Sequence, residues 1–185
     1  MGLDETAREN VHIAAHLHDI GKIGVSDRIL KKPGKLKPDE MEEMQTHPII
    51  GFTILEKLSV FGRISGIVLH HHERFDGLGY PNGLKGNEIP LESRVIAVAD
   101  AFDAMTSDRP YRNGMPVEKA FREIRSHAGD QFDPMVVKYF KTAAKPIMDG
   151  IKKSSCIFRR HERVEHKDLM HSRAAIPGFA LKSLG

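Results

Sequence analysis

With 185 residues, 40% of them hydrophobic and 29% charged, the chain reads as one globular domain with room for a sizeable core. The net charge is only +3, and eight of the 28 Lys and Arg but three of the 25 Asp and Glu fall in 151–185, so that segment carries +5 and the rest −2. A body that is not basic argues against a binder of DNA or RNA duplexes. No apolar run is long enough to span a membrane, and the lone Cys156 permits no internal disulfide and suits a reducing cytoplasm.

The chain reads as nearly all helix, and no alternating pattern is strong enough for a sheet. A first helix is expected from about Asp4 to Asp19, with Val11, Ala14, Ala15 and His18 on related faces and Gly21 as its stop. A polar connection, "KKPGKLKPDE", follows. Pro38 suits the first turn of the next helix, with Asp39 and Glu40 favouring its N-terminus. Pro48 opens another through "IIGFTILEKL", and "FGRISGIVLHHHE" continues the helical pattern.

From Arg74 to Pro90 the glycines and prolines predict an irregular loop. Helix resumes near Leu91 and carries "SRVIAVADAFDAM". Pro116 begins "PVEKAFREIRSHAG", ended by Gly129, and Asp133 with Pro134 reads as an N-cap and first helical residue. We expect one domain over 1–150, N-terminally short, and a basic tail over 151–185 that is partly disordered.

Four segments, each read as helical, offer metal-ligating side chains: His18 and Asp19 in "HLHDIGK", His47 before Pro48, the pair His71 and His72, and Asp100. Singly these have plain alternatives: a capped helix end, a loop histidine, a wet stripe formed by Asp100 and Asp103. Yet a carboxylate in the apolar run around Asp100 is costly to bury unpaired, by several kcal/mol. A metal would stabilise it, and imidazole with carboxylate suits Mn, Fe or Zn.

"HDIGK", "HHERFDGLGYP", "RVIAVADAFDAMTSDRPYR" and "GDQFDP" together resemble the HD-GYP family of metal-dependent phosphohydrolases, in the family's order, from about Asn10 to Phe140. The resemblance implies an all-α, HD-type helical bundle with a metal centre between helices and a Gly/Pro-rich GYP loop. It also implies hydrolysis of the bacterial second messenger cyclic di-GMP to pGpG and onward to GMP. On this resemblance His18, Asp19, His47, His71, His72 and Asp100 are the metal ligands, Asp19 and Asp100 bridging two divalent ions. Fe or Mn is expected, with Zn, Mg or Ni as alternatives. His70 is expected to be a helical neighbour.

Lys22 resembles the lysine that contacts a substrate phosphate, and with Asp19 it is the catalytic candidate. Arg109 and Arg112 resemble phosphate-holding residues, and Tyr80 is expected to form a lid or stack on a guanine. Glu73, Asp76 and Asp103 are expected to contact the metal site or hydrogen-bond its ligand histidines. The resemblance implies an earlier helix, which in three-metal members supplies a carboxylate as an extra ligand. No such segment precedes Asn10, so we expect two metals, and a homodimer or a sensory or regulatory partner covering the exposed surface. The rival readings are a receptor that binds the dinucleotide without turnover, and a different HD phosphohydrolase acting on another nucleotide, either mononucleotides or cyclic GMP-AMP. The tail histidines His161, His166 and His171 are read as part of the basic tail.

Overall fold

The computed structural model describes residues 1–108 and 113–143. The described residues form helices and turns, with one isolated backbone bridge, Ala128 to Phe132, and no strand among them. α1 runs Glu5–Leu17, α2 Asp27–Leu30, α3 Pro38–Met44, α4 His47–Leu55, α5 Gly62–Leu69, α6 Leu91–Thr106 and α7 Val117–Ser126. Short 3-10 turns stand at Ile20–Gly24, Ser59–Phe61 and Gly86–Glu88, and residues 134–143 are helical. Residues Met1–Thr142 make one compact unit. No helix among the described residues is long and apolar enough to cross a membrane.

The starts of the helices follow local chemistry. Asp4 caps α1 by accepting a hydrogen bond from the Ala7 N–H at 2.7 Å. Pro38 lies in the first turn of α3, and Glu40 reaches back to accept from the Lys37 N–H at 2.8 Å. The buried Glu40 carboxylate is also paired with Lys32. Asp133 accepts from the Met135 N–H at 2.7 Å, the N-cap expected before Pro134.

Two ends and one short helix differ from expectation. α1 stops at Leu17 and the chain turns into a 3-10 helix that holds Gly21, so this glycine ends nothing. A Cβ on Gly21 would lie 1.9 Å from the His47 carbonyl oxygen, so glycine lets this turn press against the start of α4. α5 stops at Leu69, with His70 as its C-cap, so His71 and His72 stand in the following turn and not on a helix. The four-residue α2, Asp27–Leu30, stands just before the polar connection, in a stretch too short for its periodicity to mark a helix.

Two apolar clusters build the core. Ala14, Leu55, Ile64, Ile67, Val68 and Ile96 join α1, α4, α5 and α6. Val98, Phe102, Ala120, Ile124, Phe132, Val136 and Val137 join α6 to α7 and to 134–143. Each buried aliphatic side chain contributes roughly 1.5–3 kcal/mol by leaving water.

α6 belongs to both clusters. Three core residues of the first are followed, three or four residues on, by a polar candidate: Ala14 by His18, Val68 by His71 and His72, Ile96 by Asp100. The hydrophobic seam that packs these helices therefore brings the polar residues together where it ends.

Candidate metal centre

His18 at the end of α1, Asp19 just after it, His47 at the start of α4, His71 and His72 beyond α5, and Asp100 on α6 converge on one spot. Ligand atoms of His47, His71 and His72 all lie within 4.8 Å of one another. His18 Nε2 is 3.5 Å from Asp19 Oδ2 and 3.7 Å from Asp100 Oδ1, and His47 Nε2 is 3.6 Å from Asp19 Oδ1. Lys22 Nζ donates to Asp19 Oδ2 at 2.6 Å.

The backbone sets the orientation of three imidazoles. His18 Nδ1 donates to the Ala15 carbonyl at 2.8 Å, His47 Nδ1 to that of Met44 at 2.7 Å, and His71 Nδ1 to that of Val68 at 2.6 Å. A carbonyl only accepts, so each Nδ1 carries the proton, and in the neutral rings of His47 and His71 the lone pair of Nε2 then faces the centre. His47 and His71 then present two lone pairs to each other across 3.3 Å. No hydrogen lies between them to make that approach favourable. A cation between them would, and this donor set fits a divalent metal.

The protonation preferences agree. Burial pushes the His71 imidazole down to about 3 and the His72 imidazole down to about 4, and it also lowers His47. These rings stay neutral, as ligands must. His18 differs: the Asp100 carboxylate beside it raises it above the ordinary histidine range, and His18 in return holds Asp100 below the ordinary carboxylate range.

The loop after His72 folds back over the centre. Tyr80 N–H donates to the His72 carbonyl at 3.3 Å, and the Tyr80 ring stacks on the His72 ring with centroids 4.9 Å apart. The Tyr80–Pro81 bond is cis. A Cβ on Gly79 would lie 2.2 Å from the Arg74 nitrogen, which explains a glycine before the tyrosine. Burial raises the Tyr80 phenol above its ordinary value, with Asp100 and Asp19 adding to the effect.

Three expectations about neighbouring acids are corrected. Glu73 accepts from the loop N–H groups of Asn82 at 2.7 Å and Leu84 at 3.1 Å, because its side chain turns away from the histidines. Asp76 is taken up by Arg74 and by the Leu78 N–H, and Asp103 is exposed and accepts from the Ser107 hydroxyl at 3.0 Å. His70 caps α5 and donates to the Gly66 carbonyl at 2.8 Å. Arg109, Arg112, Cys156, the tail histidines and all of 151–185 lie outside the described residues.

A family model described as an HD domain matches residues 1–136, over the whole convergence of His and Asp. The chain belongs to the HD-domain family. Within that family its "HHERFDGLGYP" segment places it in the HD-GYP branch. The HD domain implies a divalent-metal-dependent hydrolase, and the histidine cluster could hold such a metal.

Among curated proteins, a cyclic di-GMP phosphodiesterase of Thermotoga maritima is 51% identical over 151 residues, covering 80% of this chain and 41% of the relative. The response regulator RpfG of Xanthomonas campestris, also a cyclic di-GMP phosphodiesterase, is 45% identical over 74% of this chain and 37% of its own length. A 3'3'-cGAMP-specific phosphodiesterase of Vibrio cholerae is 44% identical over 74% of this chain and 30% of its own length. The HD domain here thus spans about two fifths or less of these relatives.

Two solved structures share the fold. A cyclic GMP-AMP-specific phosphodiesterase of V. cholerae has TM-score 0.60 at 23% identity, covering 78% of this chain and 40% of that one. An HDG"Y"P protein of Bdellovibrio bacteriovorus, Bd1817, has TM-score 0.61 at 21% identity, covering 77% and 45%.

Proposed function

We propose that this domain is a metal-dependent phosphodiesterase that opens cyclic di-GMP to pGpG and carries it onward to GMP. The observation that carries the reading is the pair of facing Nε2 lone pairs of His47 and His71, set beside the half-exposed carboxylates of Asp19 and Asp100. His18, Asp19, His47, His71, His72 and Asp100 would hold two divalent ions, Fe or Mn, with Asp19 and Asp100 as the candidates to be shared between them. Bound metals supply Lewis acidity and a nucleophile at neutral pH.

The chain's own residues do the rest. Lys22, in reach of Asp19 and 39% exposed, swings its ammonium to a non-bridging phosphate oxygen and steadies the charge that develops there. Arg109 and Arg112 clamp the phosphates through paired hydrogen bonds. Tyr80 keeps one ring face on His72 and so excludes water from that side, leaving its hydroxyl edge for the substrate. We assign this activity to residues 1–150, in the cytoplasm of a bacterium, with a homodimer or a sensory or regulatory chain as partner. The cytoplasmic placement rests on the single cysteine.

The test is turnover. Pure protein loaded with Mn²⁺, or anaerobically with Fe²⁺, is incubated with cyclic di-GMP and the products are separated. We expect pGpG, GMP or both. Neither product under either metal sinks the reading and leaves a receptor. The similarity to cGAMP-specific relatives favours one second reading, cyclic GMP-AMP as substrate, and a panel of both rings decides it.

A further inference from the structure

Glu73 is a buried carboxylate that, among the described residues, neither the metal centre nor a salt bridge uses. It is 4% exposed, and the partners of its two oxygens are the N–H groups of Asn82 and Leu84. Those groups flank the far side of the GYP turn. On the near side, Tyr80 N–H is tied to the His72 carbonyl, and Gly79 lies against the backbone of Glu73 and Arg74. The loop is thus fastened at both ends to the His72–Arg74 segment, and Tyr80 between the fastenings lies flat on His72.

A buried ionised carboxylate is costly unless its oxygens are satisfied, and here backbone donors satisfy both. If the loop lifts, Glu73 exchanges two fixed backbone donors for water, so the two bonds favour the closed loop.

We propose that Glu73 is a positioning residue for the reaction: its carboxylate holds the GYP loop closed so that Tyr80 covers and orients His72. Glu73 touches neither metal nor substrate and acts through Tyr80. The proposal rests on the phosphodiesterase reading for its kinetic readout, but not for its structural one.

The test compares wild type, Glu73→Gln, Tyr80→Ala and the double variant, all as full-length protein. Gln keeps the size of Glu and one acceptor oxygen, so the chain folds where Glu73→Ala risks failure. Its amide NH2 would face one of the two N–H donors. Amide hydrogen exchange at Asn82 and Leu84 should then speed up by about tenfold or more, corresponding to one lost charge-assisted bond. Metal content by elemental analysis should stay at the wild-type level. kcat with cyclic di-GMP should fall by about tenfold, and adding Glu73→Gln to Tyr80→Ala should cost less than about twofold more, because coupled residues are non-additive.

Unchanged exchange at Asn82 and Leu84 overturns the proposal. So does metal lost in proportion to activity, since Glu73 would then act on the ligands directly. Additive kinetic effects overturn the route through Tyr80. If wild type turns over no cyclic dinucleotide, the phosphodiesterase reading fails, while exchange at the two amides and the metal content still decide whether Glu73 holds the loop.

Discussion

The candidate centre has two unlike halves. On one side His47 and His71 are each 1% exposed, locked by backbone carbonyls and pushed toward neutrality by burial. On the other, Asp19 and Asp100 keep 40% and 34% of their side chains exposed and are met by Lys22 and His18. The buried half gives up hydration in advance, so a metal finds its donors dry and aimed. The open half keeps its charge in contact with water, where an anionic substrate arrives. Affinity for the ion and access for the phosphodiester are thus divided between two walls of one site.

Removing a buried ligand should have the largest effect, because it damages both fold and site. His71→Ala leaves a cavity and orphans the Val68 carbonyl, which should cost about 2 kcal/mol in the metal-free protein. It should also abolish metal retention and lower activity by more than about a hundredfold, since even outer partners of metal ligands are worth ten to a hundredfold. Chemical denaturation of the metal-free variant and elemental analysis measure the two losses separately. If the metal stays, the division between the halves is wrong.

A substitution in the open half should spare the fold. Asp19→Ala removes a half-exposed carboxylate, so stability should change little while metal and activity are lost together. Arg109→Ala should retain metal and raise KM by roughly ten- to a hundredfold, the worth of a hydrogen bond between charged groups. Loss of metal from Arg109→Ala as readily as from Asp19→Ala would refute this assignment of roles.

Much of this was legible in the sequence, and the reasons are physical. Asp100 stood out as a carboxylate in an apolar helical run. His18, Asp19, His47, His71 and His72 joined it as a set through the HD-GYP resemblance, and the structure brings all six together. The cap at Asp133 follows from local hydrogen bonding alone. What stayed hidden depends on contacts distant in sequence. The run "IVLHHHE" has helical periodicity throughout, yet the helix ends at Leu69 because His71 turns its Nδ1 to the Val68 carbonyl and faces α4. Glu73 looked like a neighbour of the metal because it follows His72, but its partners lie nine and eleven residues on.

The halves should also part company as pH changes. In the metal-free protein, His71 and His72 titrate near 3 and 4 when folded and near 6.5 when unfolded. The unfolded state therefore binds more protons between those values. Their contribution to stability is whole above about 6.5 and is lost as pH falls toward 4, by up to about 1.4 kcal/mol per pH unit for each ring. His18 has the opposite sign: its raised value favours the fold below its unfolded value, and that gain fades as pH rises through the folded one. Melting of the metal-free domain from pH 8 to 4 should show falling stability, dominated by the buried half. Stability rising on acidification would mean the His18–Asp100 pair dominates instead.

The smallest expected effect lies outside both halves. Asp4→Ala removes the oxygen that accepts the Ala7 N–H, at the end of α1 opposite His18. Loss of an N-cap costs about 1 kcal/mol. The first turn should fray, but Ala14 is fully buried in the cluster shared with α5 and α6, and Leu17 packs against it. Fraying should therefore stop before it reaches His18. The denaturation midpoint should fall while metal content and turnover match wild type. A loss of metal affinity larger than the loss of stability would show that α1 shifts as one rod. The open half would then draw its geometry from the whole helix, and the contrast between the walls would have to be redrawn as rigid against sliding, in place of buried against exposed.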